Sequence, residues 1–216
     1  MRIIFDLDGT LIDSAPDIHA AGNAVLEAEG LPPIPYDQAR SFIGNGARLF
    51  IERMERASAG TIDPLRTERL RRLFAVKYER AHALTRAYPG VPQALAALGA
   101  AGWRLGLCTN KPIAPTRAVL AHFRWTPLFA TLVGGDSLPV MKPDPAPLLK
   151  AMAALGEGPV VYVGDSEVDA ATAQAAGVPF ALYTLGYRKT PVDTIPHTAA
   201  FDDWATLPDL ARHLAR

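Results

Sequence analysis

Cysteine is almost missing from this chain: Cys108 is the only one in 216 residues. A disulfide framework is therefore excluded, and a reducing cytoplasm is the natural compartment. Cys108 lies inside the apolar run from Leu105 and reads as a small buried hydrophobe rather than a nucleophile. No apolar stretch approaches the roughly 18 residues of a membrane span. The first apolar run, Ile3 to Phe5, is cut short by acids, so no signal peptide is expected. Net charge is lacking too. Lys+Arg and Asp+Glu are both 22, which removes the electrostatic case for nucleic acid or an anionic membrane as partner. The five histidines are scattered, and no His/Cys cluster argues for zinc. Internal repeats and low-complexity tracts are absent.

What remains is the composition of a soluble globular protein, 49% hydrophobic and 20% charged, long enough for one or two domains with a real core. Short β-rich runs recur at Arg2–Phe5, Arg104–Cys108, Thr131–Val133, Val160–Val163 and Phe180–Tyr183. Between them, 92–101, 115–123, 145–155 and 167–176 read as helices. Alternation of this kind predicts right-handed crossovers and a parallel sheet covered on both faces. Nearly unbroken apolar strands agree with that burial. A last helix is expected from about Trp204, with a short strand at Ala199–Phe201.

One segment breaks the alternation. Between Pro16 and His82 no strand is evident, and 17–29, 47–57 and 65–83 read as amphipathic helices. Ser14 and Asp17 have capping-box spacing, and Gly30 with Pro32, Pro33 and Pro35 ends the first helix. The expected architecture is a Rossmann-like α/β core, residues 1–14 and 84–216, with an α-helical insertion at 15–83.

In an open α/β sheet, ligands bind past the carboxyl ends of the strands. The residues at those ends are chemically distinctive. After the first strand come Asp6, Asp8, Gly9 and Thr10; after the second, Thr109, Asn110 and Lys111. Gly134, Gly135, Asp136 and then Lys142 and Asp144 follow the third. Gly164, Asp165, Ser166 and Asp169 follow the fourth. Carboxylates gathered in one crevice repel one another, so a hard divalent cation is the economical partner. Oxygen ligands at a site that keeps waters point to Mg²⁺. Donors beside a cation imply an anion, phosphate above all.

The stretches DLDGT, TN, KPDP and GDSEVD, in that order over residues 6–169, resemble the signature of the haloacid dehalogenase-like superfamily of phosphatases. The helical insertion resembles that superfamily's cap domain. The resemblance implies roles. Asp6 would be the nucleophile and form an aspartyl phosphate. Asp8 would protonate the leaving oxygen and then activate water. Thr109 and Asn110 would hydrogen-bond the phosphoryl oxygens, and Lys142 would offset their charge. The Mg²⁺ ligands would be Asp6, the Asp8 backbone carbonyl and Asp165, with Asp169 orienting Asp165 or Lys142 and Gly9 in support. A finer likeness, carried by DLDGTLIDSAPD, FIGNGARLF, VGGDSLPVMKPDPAPLL and VGDSEVDAATAQAAGVP, is to bacterial phosphoglycolate phosphatases.

That likeness implies a small phosphomonoester as substrate, 2-phosphoglycolate first, with a monomer or small homo-oligomer as the working form. Gly44, Asn45 and Gly46 precede an expected helix, where backbone N–H groups receive an anion. They are candidate contacts for the substrate carboxylate, with Arg48 as its ion partner. Lys111 and Arg188 read as rim or surface charges. The same scaffold also fits a sugar-phosphate phosphatase, a pyrophosphatase or a phosphosugar mutase. A phospho-receiver module is the non-enzymatic alternative.

Overall fold

The computed structural model describes residues 1–215. Its centre is a six-stranded, wholly parallel sheet built from β1 (Arg2–Phe5), β4 (Arg104–Cys108), β5 (Phe129–Val133), β6 (Val160–Gly164), β7 (Phe180–Tyr183) and β8 (Ala199–Phe201). The spatial order is β5-β4-β1-β6-β7-β8. From β1 the chain winds outward through β4 and β5, then returns to β6 on the other side. The reversal places the switch point beside β1.

Helices α5 (Val91–Ala100), α6 (Ile113–His122), α7 (Ala146–Ala154), α8 (Glu167–Ala176) and α9 (Leu207–Leu214) cover the sheet. One face buries Ile3, Phe5, Leu107, Val163 and Trp204; the other buries Ile4, Cys108, Leu148, Tyr162 and Leu182. This is the period-two alternation of a strand with both faces inside. Removing these side chains from water is the main stabilising term of the core, at about 25 cal/mol per Å² of apolar surface.

The helical insertion contains α1 (Ala15–Ala28), α2 (Tyr36–Ser41), α3 (Gly46–Ala59) and α4 (Pro64–Glu79). These pack around their own apolar cluster, which includes Ile18, Val25, Phe50, Met54, Leu70 and Phe74. A two-residue antiparallel ribbon joins insertion to core: β2 (Ile12–Asp13) pairs with β3 (Arg86–Ala87). Asp17 braces this junction by accepting from Leu84 N–H (2.9 Å), Thr85 N–H (2.6 Å) and the Thr85 hydroxyl (2.6 Å).

Several boundaries differ from the sequence expectation. β5 begins at Phe129 rather than Thr131, and α1 begins at Ala15 rather than Asp17. A 3₁₀ turn at Trp204–Thr206 precedes α9, which starts at Leu207. α2 follows directly on the Pro-rich stretch, with Pro35 at its N-cap, and the sequence pattern does not announce it. The spacing of Ser14 and Asp17 does not produce a capping box, because both side chains are engaged elsewhere: Ser14 on Asp8, Asp17 on the junction. The capping box of this chain is at α8, between Ser166 and Asp169.

Candidate active site

β1 is flanked by β4 and β6, with Phe5 in register with Leu107 and Val163. Neighbouring strands lie about 4.8 Å apart, so residues just past these three ends are brought together. Asp6, Thr109 and Asp165 are those residues, and all are buried. Two glycines make the convergence possible. Gly9 turns the chain with φ +87°, and a methyl there would run into the Asp165 carboxylate. Gly135 passes so close to the Asn110 carbonyl that a side chain would collide with it.

One side of the site is a carboxylate cluster. Oxygens of Asp6, Asp165 and Asp169 lie within 4.8 Å of one another. Asp165 is oriented by Thr10 Oγ1, which donates to Oδ1 (2.6 Å), and by Tyr187 N–H, which donates to Oδ2 (2.6 Å). Burial, with Asp169 and Asp6 close by, holds its carboxyl well above the usual range. The Asp6 carboxyl is pushed up to about 6 by burial, against the pull of Lys142 and with a further push from Asp169. Asp6 Oδ1 is buried and accepts no hydrogen bond. Lys142 Nζ lies 3.0 Å from it, close enough for charge pairing but outside hydrogen-bond geometry.

Two acids raised by burial and by neighbouring carboxylates, one with an unpartnered oxygen, are the donor set that a hard cation satisfies. Asp6 and Asp165 fit a hard divalent cation in this sense. Asp169 does not act as an open ligand, since both its oxygens are already engaged. Oδ1 accepts from Lys142 Nζ (2.6 Å) and Tyr162 OH (2.7 Å); Oδ2 accepts from Ser166 Oγ (2.6 Å) and the N–H groups of Asp165 and Ser166 (both 3.2 Å). Burial pushes the Asp169 carboxyl up, but Lys142 and these donors outweigh it and keep it below its ordinary value. Conversely, burial disfavours the Lys142 ammonium, yet Asp169 and Asp6 hold its pKa above the usual range.

Asn110 has a second task. Its side chain is a clamp: Oδ1 accepts from Lys142 N–H (3.0 Å), and Nδ2 donates to the Lys142 carbonyl (3.0 Å) and to the Gly44 carbonyl (3.1 Å). The side-chain amide fixes the lysine backbone and ties it to the insertion, while Asn110 itself lines the crevice with Asp6, Asp8 and Thr109. Thr109 is where it was expected, buried at the end of β4 and lining the crevice with Asp6 and Asp8.

The other side of the site is a narrow crevice between sheet and insertion. Asp8 faces it, holding Ser14 Oγ (2.5 Å) and Lys111 Nζ (3.1 Å) on Oδ1. Gly44 and Gly46 line the same space. Asn45 turns away, its Oδ1 accepting from Arg53 (3.0 Å). Nor does the structure bring Arg48 to the crevice. Its side chain is 71% exposed and pairs with Glu52 one turn along α3 (2.9 Å), facing an outer groove. Position three of a helix leaves the direction of a side chain undetermined until the helix is docked, and docking turns this one outward.

Sequence reasoning placed Lys111 at the rim, yet its side chain is only 3% exposed and forms the ion pair with Asp8. Tyr78, from α4, accepts from Lys111 Nζ at 2.6 Å, and burial beside Asp8 pushes its phenol pKa well up. Tyr187 bridges the two halves. Its N–H holds Asp165, while its phenol accepts from Ser14 and Ala15 N–H (2.8 and 2.9 Å) and donates to Asp13 (2.6 Å). The adjacency of Lys111 to Thr109-Asn110 was a usable signal; nothing local marks the two tyrosines. Cys108 is buried, with burial pushing its thiol up to about 12, as befits an inert core residue. No helix among the described residues is long and apolar enough to cross a membrane.

A parallel sheet carrying acids past β1 and β6, with a helical insertion after the first, defines a Rossmann-like α/β protein with a candidate cation site. The chain belongs to the haloacid dehalogenase-like hydrolase family, whose model matches residues 1–177. It is 52% identical over 213 residues to a phosphoglycolate phosphatase of Cereibacter sphaeroides, covering 98% of both chains. It is 43% identical to the phosphoglycolate phosphatase of Rhodobacter capsulatus, over 96% of this chain and 95% of that one. The crystal structure of a predicted phosphoglycolate phosphatase from Haemophilus somnus superposes with a TM-score of 0.91 at 33% identity, covering 97% of this chain and 96% of that one.

Proposed function

We propose that this protein is a Mg²⁺-dependent phosphatase that converts 2-phosphoglycolate to glycolate and phosphate through an aspartyl phosphate on Asp6, in the cytoplasm. The observation that carries the reading is Asp6 itself: buried, beside Lys142, with an oxygen that no donor occupies. A carboxylate oxygen without a hydrogen-bond donor keeps a lone pair for attack. The names of the relatives at 43–52% identity support the substrate.

In this reading the Asp6 carboxylate attacks phosphorus, and the ester oxygen leaves as the alcohol of glycolate. Asp8, two residues on and facing the crevice, gives that oxygen its proton and then takes one from the water that cleaves the acyl phosphate. General acid–base help of this kind is worth about 10²–10⁴ in rate. The Thr109 hydroxyl and the Lys142 ammonium stabilise charge on the transferring group. Lys142 is held for this by Asp169, Tyr162 and the Asn110 clamp. Bound Mg²⁺, held by Asp6, Asp165 and the Asp8 carbonyl, would neutralise the carboxylate cluster and the phosphoryl oxygens. Residues 15–83 act as a cap over the core of 1–14 and 84–216, and closing it shields the acyl phosphate from bulk water. The separate apolar cluster of the insertion and its narrow β2–β3 junction support such a division.

The test is phosphate release from a panel of phosphomonoesters, with Mg²⁺ or EDTA, and with Asp6→Asn as control. Preference for 2-phosphoglycolate, abolished by EDTA and by the substitution, is the expected result. Mg²⁺-dependent release spread evenly over sugar phosphates would overturn the substrate assignment and leave the chemistry.

A further inference from the structure

The phosphoryl chemistry above leaves one buried cation without a task. Lys111 reaches the crevice from the end of β4 with its side chain 3% exposed. An ammonium so enclosed is costly unless anions or dipoles surround it. Its partners are few: Asp8 Oδ1 at 3.1 Å and Oδ2 at 3.4 Å, and the Tyr78 phenol oxygen at 2.6 Å. The crevice wall around them is otherwise apolar, from Ile18, Ile43, Phe50 and Phe74. Lys142, by contrast, is on the carboxylate-cluster side, where Asp169 and Tyr162 hold it beside Asp6 and the phosphoryl chemistry uses it.

We infer that Lys111, steadied by Tyr78, is the residue that binds the substrate's carboxylate and so selects a short carboxylated phosphoester. The inference rests on the phosphoglycolate reading and deepens it. A phosphoryl group placed between Asp6 and Thr109 points its alcohol portion toward Asp8 and the apolar crevice. The cation that meets it there is Lys111. In the structure the Asp8 carboxylate takes the place that a substrate carboxylate would share. An incoming carboxylate shares the ammonium with Asp8, which keeps its own contact to Ser14 Oγ. The side chains of Ile18, Ile43, Phe50 and Phe74 offer no hydrogen-bond partner to the hydroxyls of a sugar phosphate, so longer hydroxylated substrates lose hydrogen bonds where they meet that part of the wall. Selection therefore comes from one charge pair and a dry wall.

The experiment compares kcat/KM for 2-phosphoglycolate with that for 2-hydroxyethyl phosphate, which has the same chain length and no carboxylate. The readout is the ratio of the two, in wild type, Lys111→Met, Lys111→Arg and Tyr78→Phe. Any loss that arises through Asp8 affects both substrates and cancels in the ratio. Lys111→Met is expected to lower the ratio by roughly 10- to 100-fold, the usual worth of a hydrogen bond to a charged group. Lys111→Arg should keep a substantial part of it, and Tyr78→Phe should lower it severalfold. A wild type that prefers phosphoglycolate together with an unchanged ratio in Lys111→Met overturns this inference alone. A wild type without preference overturns the substrate reading as well. If Lys111→Met does not fold, Tyr78→Phe decides, and an unchanged ratio there counts against the inference.

Discussion

Two buried carboxylates in this molecule are satisfied to the same degree and serve different ends. Asp169, past β6, has both oxygens filled by Lys142, Tyr162, Ser166 and backbone N–H groups. Glu55, on α3 in the insertion, is equally enclosed: Asp63 N–H (3.0 Å), Arg66 Nε (2.7 Å) and the Thr67 hydroxyl all donate to it. A buried, fully paired acid is therefore no mark of a site by itself. What separates the two is the neighbour. Beside Asp169 lies Asp6, whose Oδ1 is unpartnered; no orphaned oxygen lies beside Glu55 among the described residues. Asp169 supports a reactive group through Lys142, whereas Glu55 fastens α3 to the start of α4.

The largest effect expected from this contrast is at Asp169. Asp169→Asn leaves the Lys142 ammonium with Asp6 as its only carboxylate partner. Breaking a buried ion pair on one side costs about 3–5 kcal/mol. Lys142 should then draw onto Asp6 and engage the free oxygen. The variant should show a lower urea midpoint and a kcat reduced on the order of 10²-fold or more, measured on enzyme that is still folded. A stable, fully active Asp169→Asn would erase the distinction, placing Asp169 with Glu55 as a structural acid.

How much of this could be read from the sequence depends on how local each cause is. β1, β4 and β6 were legible because each is an apolar run ending in acids or a hydroxyl, and burial on both faces leaves little else for such runs to form. The same run-ends gave Asp6, Thr109 and Asp165. α2 was hidden because prolines 32, 33 and 35 mask a six-residue helix that only tertiary contact sustains. The β2–β3 ribbon, two residues per strand, is too short to show alternation. Lys111 was misjudged because its partner Tyr78 is 33 positions away. The resemblance assigns Asn110 to the phosphoryl oxygens and says nothing of a second task for its side chain. Its clamp on Lys142 depends on how the 134–142 loop folds back, which no spacing reveals.

A smaller effect is expected at Glu55. Glu55→Gln removes a charge from hydrogen bonds of the charge-assisted kind, which contribute about 1.5–3 kcal/mol. Burial pushes the Glu55 carboxyl up, but Thr67, the Asp63 N–H and Arg66 outweigh it and hold it below its ordinary value. A depressed carboxyl stabilises the fold above its unfolded pKa, near 4.3. That contribution fades as pH falls through the lower folded value. The gap in unfolding free energy between wild type and Glu55→Gln should therefore be full at pH 7 and narrow below about pH 4. At pH 7, kcat of the folded variant should match wild type. A fall in kcat larger than the folded fraction explains would show that α3 shapes the site through Glu55, and the contrast with Asp169 would soften.

The smallest effect is expected at Arg48, and it is the sharpest test of which face of the insertion meets the substrate. Arg48 sits on the same helix as Glu55 but pairs only with Glu52, in water, one turn away. Exposed pairs of this spacing contribute about 0.3–0.5 kcal/mol. Arg48→Ala should leave stability within about 0.5 kcal/mol of wild type. It should also leave kcat/KM for 2-phosphoglycolate within about threefold, which corresponds to a change of no more than about 0.65 kcal/mol. Lys111 has the buried position that Arg48 lacks. A tenfold or larger rise in KM in Arg48→Ala would mean that α3 turns its outer face inward when the insertion closes. The outer groove that Arg48 lines shares Ala47, Phe74, Tyr78 and Pro112 with the crevice. Closure by rotation about that shared wall is the movement such a result would require. A null result fixes α3 in the orientation seen and leaves the carboxylate to the lysine at the end of β4.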